Sequence, residues 1–208
     1  MKEHDIMEAV NQSSCVIIHG ETGCGKTTQV PQPTDTSGAE YLDFPPARGA
    51  AFELGVNLGN EVGFQVRHDK EIGENCAIKF MTDGILLREI QSDFLLKRYS
   101  VVIMDEVHER NSNTDILSAM LSCIIKLRKD LYEDQEQKVL LGEVIAPDSR
   151  ICPLKVILMS ATLCIDKQMS GKIFSAPHRP SDMRIESRQF PVTRHFQNRT
   201  CRLHGPCL

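Results

Sequence analysis

Three short apolar runs punctuate the chain, and each gives way to polar or glycine positions. The first covers residues 15–19 and leads into Gly20, the second covers 101–104 and stops at Asp105, and the third covers 154–159 and stops at Ser160. Continuous apolar runs of this length, without alternation, predict strands buried on both faces of a parallel sheet. A further strand is expected over 77–81. Between the runs the period changes. Ile116, Leu117, Met120, Leu121, Ile124 and Ile125 share one face of a helix expected over 114–129, with Asp115 near its start and Lys126, Arg128 and Lys129 at its end, as the macrodipole favours. A shorter helix is expected over 84–91. Residues 33–46 read as turn-rich coil, and 130–153, acidic and then interrupted by Gly142, Pro147 and Pro153, read as an exposed insertion. No internal repeat is visible. Strands alternating with helices predict an α/β domain, a parallel sheet flanked by helices, whose ligands bind at the carboxyl ends of the strands.

The composition sharpens this by exclusion. The 208 residues are 41% hydrophobic and 25% charged, the balance of an ordinary soluble domain able to bury its own core. No apolar stretch approaches the roughly 18 residues of a spanning helix, and the first residues lack the basic and apolar blocks of a secretory signal. The eight cysteines include no Cys-x-x-Cys pair, so free thiols in a reducing compartment are expected rather than disulfides or zinc, and the sequons at Asn11 and Asn198 are chance matches. The net charge of −4 is unevenly spread. Residues 171–208 hold seven basic residues against two acidic, a local +5, which suits either a solvated tail or a polyanion-binding surface.

The loop after the first strand carries the most specific chemistry. Gly20-Glu21-Thr22-Gly23-Cys24-Gly25-Lys26-Thr27 fits G-x-x-x-x-G-K-[ST], and Thr28 continues into a helix. Glycines let the backbone turn tightly enough for successive N–H groups to face a phosphate, and the helix N-terminus adds partial positive charge. Lys26 is then placed to reach the β- and γ-phosphates of ATP, and Thr27 to ligate Mg²⁺. Such a loop needs a second magnesium-holding carboxylate at a neighbouring strand end. Asp105 is so placed, and Glu106 beside it is the candidate general base for an attacking water.

Further motifs make the likeness specific. Asp105-Glu106-Val107-His108-Glu109-Arg110 resembles the DEAH-box signature with Val in place of Ala, Ser160-Ala161-Thr162 resembles helicase motif III, and Thr82-Asp83-Gly84 resembles the motif that touches the nucleic-acid backbone. Together with the loop they follow the order of a DEAH-box RNA helicase. The stretches 78–110 and 186–192 look most like the nucleolar DEAH-box helicases of small-ribosomal-subunit assembly. The resemblance covers residues 3–32 and 50–198 and implies the first RecA-like domain of a P-loop NTPase, over 1–192, followed by a basic divergent tail over 193–208. It further implies ATP and Mg²⁺ bound by Lys26, Thr27, Asp105 and Glu106. It makes His108, Ser160 and Thr162 couplers of nucleotide state to domain movement, and Thr82 a contact to an RNA phosphate. The implied partners are RNA, pre-ribosomal particles and a helicase-activating protein, without a membrane, in the nucleus and nucleolus.

The chain departs from the family pattern in two places. Over the atypical segment 33–50 the family's strand and its Pro-Arg-Arg motif are missing, and the gap reads as too short for a strand-and-helix unit, so unpaired sheet edges and low stability are expected. The chain also stops at Leu208, where the second RecA-like domain and its arginine finger are expected, and a truncated or mis-spliced gene product is the simplest expectation. Two other readings stay open. One is an inactive fragment that binds nucleotide or RNA without turnover. The other is a different P-loop enzyme such as a small-molecule kinase, which would need a lid and substrate pocket that the sequence does not display.

Overall fold

The computed structural model describes residues 3–21, 24–30, 39–41, 44–109, 111–161 and 180–185. Strands β1 (Cys15–Gly20), β2 (Ala39–Tyr41), β3 (Val62–Val66), β4 (Asp69–Glu71), β5 (Ile78–Met81), β6 (Val101–Met104), β7 (Lys155–Ser160) and β8 (Ser181–Ile185) form a single sheet ordered β4-β3-β5-β2-β6-β7-β1-β8. Every pair is parallel except β3 with β4, which are antiparallel. Parallel strands need crossovers on the sheet faces, and the helices α2 (Lys26–Gln29), α3 (Phe44–Leu54), α4 (Asp83–Ser92) and α5 (Ser112–Leu140) lie between strands, while α1 (Glu3–Gln12) precedes β1.

The apolar runs do what their lack of alternation predicted, because each strand feeds two cores. Ile17, Val102, Met104, Val156 and Leu158 pack on one face with Leu86 and Ile90 of α4 and Leu117, Leu121 and Ile124 of α5. Val16, Ile18, Val101, Ile103, Ile157 and Met159 point to the other face, onto Ile6 and Val10 of α1 and Ala47, Ala50 and Ala51 of α3. Each large side chain so covered contributes about 1.5–3 kcal/mol relative to exposure. Among the described residues no helix is long and apolar enough to cross a membrane.

Two expectations are corrected. The segment 33–46 is not coil throughout. Ala39 pairs with Ile78 of β5 on one side and Val101 of β6 on the other, so β2 fills the sheet where a gap was expected. The length argument failed because this unit is reduced to a three-residue strand, two connecting residues and an eleven-residue helix. Pro45 and Pro46 fall in the first turn of α3, where a missing N–H costs no helical bond. The expected unpaired edges at this place are therefore absent.

The second correction concerns α5, which does not end at residue 129. It is capped by Asn111, whose side chain accepts the Thr114 N–H at 2.8 Å, and runs 29 residues from Ser112 to Leu140 before Gly142, at φ +88°, turns the chain. The acidic stretch read as the start of a loop is the helix's last third. Arg128 is thus not a solvated last-turn cation. It is 2% exposed, and its guanidinium donates to the carbonyls of Cys152 at 2.7 Å, Leu96 at 3.0 Å and Tyr99 at 2.7 Å. It ties the helix to the turn before β6 and to the segment before β7.

Candidate functional site

Because β1, β2, β5, β6 and β7 are mutually parallel, their carboxyl ends open on one edge of the sheet. The loop after β1 starts at Gly20, where an added Cβ would lie 3.0 Å from Cys24 Sγ and 3.2 Å from Lys26 Cδ, so a side chain there would press on the two loop residues it faces. Gly25, at φ +81°, takes the left-handed conformation that starts α2, a conformation that strains other residues. The loop folds back over its own strand. Lys26, only 4% exposed, donates from Nζ to the carbonyls of Gly20 at 2.6 Å and Glu21 at 2.9 Å, with Cys24 Sγ at 3.6 Å.

Thr27 Oγ1, next along α2, donates to Oδ2 of Asp105 at the end of β6. A contact across 78 residues is the geometry that the loop-plus-carboxylate reading requires. The other oxygen of Asp105 accepts the Glu106 N–H at 2.8 Å, which fixes the carboxylate. A hydroxyl and a carboxylate oxygen side by side suit Mg²⁺, a hard cation that takes one or two protein oxygens and completes its shell with phosphate and water. The donor set therefore fits the ion.

Glu106 is held at φ +48°, a sparsely populated conformation for a residue with a Cβ. Burial and the neighbouring Asp105 raise its pKa, while His108 and Lys26 act in the opposite direction. His108, in the 3-10 turn Val107–Glu109, brings Nδ1 to 3.1 Å from Glu106 Oε2. Both atoms are buried, and their alignment is too poor for a hydrogen bond. His108 is close enough to pull the Glu106 carboxyl down against the burial that raises it. Ser160 is fully buried at the end of β7, in register with His19 of β1, and β7 lies against the 3-10 turn carrying His108.

Thr82 stands apart. It closes β5 and caps α4, its carbonyl accepting from Ile85 N at 2.8 Å, while its hydroxyl makes no cap bond. Four strand steps separate β5 from β1, about 19 Å at the usual spacing. Thr22, Gly23 and Thr162 lie outside the described residues.

Two supports of the loop leave no signal in the sequence. Thr28 donates to Glu53 of α3 at 2.9 Å, and buried His19 sits 2.9 Å from Asp182 of β8, linking the edge strand to the strand that launches the loop. Neither Glu53 nor Asp182 belongs to a recognisable motif. Among the described residues Cys15, Cys24, Cys76, Cys123 and Cys152 are free thiols. Burial pushes Cys15 up to about 12, which makes it inert at neutral pH.

No protein-family model matches the chain. Among curated proteins it is 51% identical over 218 aligned residues to the ATP-dependent RNA helicase DEAH13 of Arabidopsis thaliana, covering 96% of this chain and 18% of that protein. It is 42% identical to the probable ATP-dependent RNA helicase DHR1 of Saccharomyces cerevisiae and 43% identical to the probable ATP-dependent RNA helicase DHX37 of Homo sapiens, in each case over 96% of this chain and 16% of the relative. The chain thus spans less than a fifth of the length of these relatives.

Proposed function

By sequence the chain belongs among the DEAH-box ATP-dependent RNA helicases, and on that premise we propose that it is their ATP-binding RecA-like domain, hydrolysing ATP to remodel RNA in the intact enzyme. The observation that carries this reading is the Thr27–Asp105 contact beneath Lys26, which joins the phosphate loop to the carboxylate of a second strand.

In this proposal Gly20, Glu21, Thr22, Gly23, Cys24, Gly25 and Thr28 shape the loop around the phosphates. Lys26 leaves its two carbonyl partners to neutralise charge on the β- and γ-oxygens. Thr27 and Asp105 would hold magnesium, which would supply positive charge against the charge that develops on the phosphates. Glu106 orients and deprotonates the attacking water, and the burial that raises its pKa makes it a stronger base than an exposed carboxylate. His108, beside Glu106, and Ser160, on the adjacent strand, couple the state of the site to movement, together with Thr162. Thr82, far along the same edge, contacts an RNA phosphate there. The likeness of 78–110 to nucleolar helicases supports action on pre-ribosomal particles during small-subunit assembly, in the nucleolus, with a helicase-activating protein as a further partner.

Calorimetric titration with ATP and Mg²⁺, paired with an RNA-stimulated ATPase assay, tests the proposal. Lys26→Ala is expected to lose nucleotide binding, and Glu106→Gln to keep binding while losing turnover. A parent chain that binds without any turnover would favour the nucleotide-binding module, and unchanged binding in Lys26→Ala would remove the phosphate-loop assignment.

A further inference from the structure

The far end of α5 carries a surface unrelated to the strand-end site. Its last buried residue is Arg128, and residues 129–140 extend beyond, about 18 Å of helix at 1.5 Å per residue. After Gly142 the chain returns alongside and is held there by one side chain. Gln135 donates from Nε2 to the Ser149 carbonyl at 2.8 Å and accepts the Ile151 N–H on Oε1 at 3.0 Å. The projection is therefore a shaped arm. A cavity of about 230 Å³ opens between its two limbs, lined by Tyr132, Val139, Ile145 and Ile151 among others.

At the tip Leu140, Leu141 and Val144 are 86%, 82% and 98% exposed. Three large apolar side chains presented together next to a cavity whose walls are part apolar and part polar, Gln135, Glu136 and Arg150 among them, are the composition of an interface centre. Around them and back along the arm Asp130, Asp134, Glu136 and Glu143 are exposed, against Lys138 and Arg150, while Glu133 is paired with Lys129 at 3.7 Å. That acidic rim repels phosphates and complements Lys and Arg. We propose that the arm docks another protein through an amphipathic helix that sets apolar anchors into the tip and cavity and basic residues against the rim. Helix-in-groove recognition uses this combination of a few apolar anchors with flanking charge.

The test uses the full chain and three fluorescein-labelled peptides of equal length: a Leu/Lys amphipathic helix, the same composition scrambled, and a Leu/Glu helix. Anisotropy titrations should give binding of the Leu/Lys helix alone. Leu140→Gln with Leu141→Gln should weaken it at least tenfold, and Glu136→Gln with Glu143→Gln should reduce its salt dependence. Melting curves matching the parent's would exclude misfolding of either exposed-site variant. The proposal is overturned if the scrambled or Leu/Glu peptide binds equally, or if the leucine variant binds like the parent. It is also overturned if the tip instead binds a single-stranded RNA oligonucleotide, or if sedimentation shows a dimer of the chain that the leucine variant abolishes.

Discussion

Glu106 shows most directly how a single residue here trades stability for chemistry. It sits at φ +48°, beside a second carboxylate, with one oxygen buried and unsatisfied. Each of these would be a defect in a merely structural acid, and burial first, then the neighbouring Asp105, raise its pKa, as the proposed general base requires. The effect on stability has a definite sign. A carboxyl that binds its proton more tightly in the fold than in the unfolded chain destabilises the fold once it ionises. The penalty appears as pH rises past the ordinary value of 4.5 and is complete above the raised one. Gln cannot ionise, so Glu106→Gln is expected to melt higher than the parent at pH 7.5 and together with it near pH 4. Equal midpoints at both pH values would show that the residue carries no such penalty. Arg128 is the opposite case, a buried charge serving structure alone. Truncation to Met would take a donor from the carbonyls of Leu96, Tyr99 and Cys152, of which Leu96 keeps the Tyr99 N–H, and at about 1–3 kcal/mol for a group left unsatisfied the expected loss is about 2 kcal/mol or more in a denaturant titration. Arg128→Lys should recover only part, because one ammonium cannot reproduce the planar fork.

At the scale of elements, β1, β6 and β7 were legible because unbroken apolar runs have few other uses in a soluble domain, and α4 because its period is short but clean. The site was legible for a related reason. Gly20 to Thr27 is contiguous, and Asp105 directly ends an apolar run. What stayed hidden depended on partners rather than pattern. β2 has only three residues, too few for any period, and exists because β5 and β6 bond it from both sides. β8 was likewise unreadable, with alternating half-exposed residues that settle only on the edge of β1. The end of α5 was misplaced because its stripe of buried residues stops at Arg128 while the helix continues, carried by good helix formers and ended by Gly142. These elements can be weighed against each other. Glu40 of β2 pairs between Lys79 and Val102, so Glu40→Pro removes a donor inside the sheet and should cost at least the about 1–3 kcal/mol of an orphaned acceptor, with aggregation on heating. Lys70→Pro, on the fully exposed edge strand β4, should cost clearly less. Equal costs would mean that β2 is not a structural member of the sheet.

At the scale of the whole molecule, the helix that leaves the site also builds the arm. α5 begins just after the 3-10 turn carrying His108, follows the sheet past its core, and ends beyond Arg128. The strand ends gather Gly20, Asp105 and Ser160, while the tip holds Leu140, Leu141 and Val144, so the two surfaces stand at opposite ends of one rigid element and should respond to different ligands. Linkage makes this measurable. A ligand that binds only the folded chain stabilises it by about 2.7 kcal/mol at a hundred times its Kd. In a domain of this size each kcal/mol moves the midpoint by about 2–4 °C, so saturating ATP with Mg²⁺ should raise Tm by about 5–10 °C. Chelating the metal should remove much of that shift, because Thr27 and Asp105 would then face the nucleotide without the charge that bridges them to it. Lys26→Ala should abolish the shift, while Leu140→Gln with Leu141→Gln should leave it whole, since the arm shares no residue with the strand ends. A shift that survives Lys26→Ala would place the nucleotide elsewhere in the fold, and one lost on altering the tip would mean that α5 transmits between its two ends.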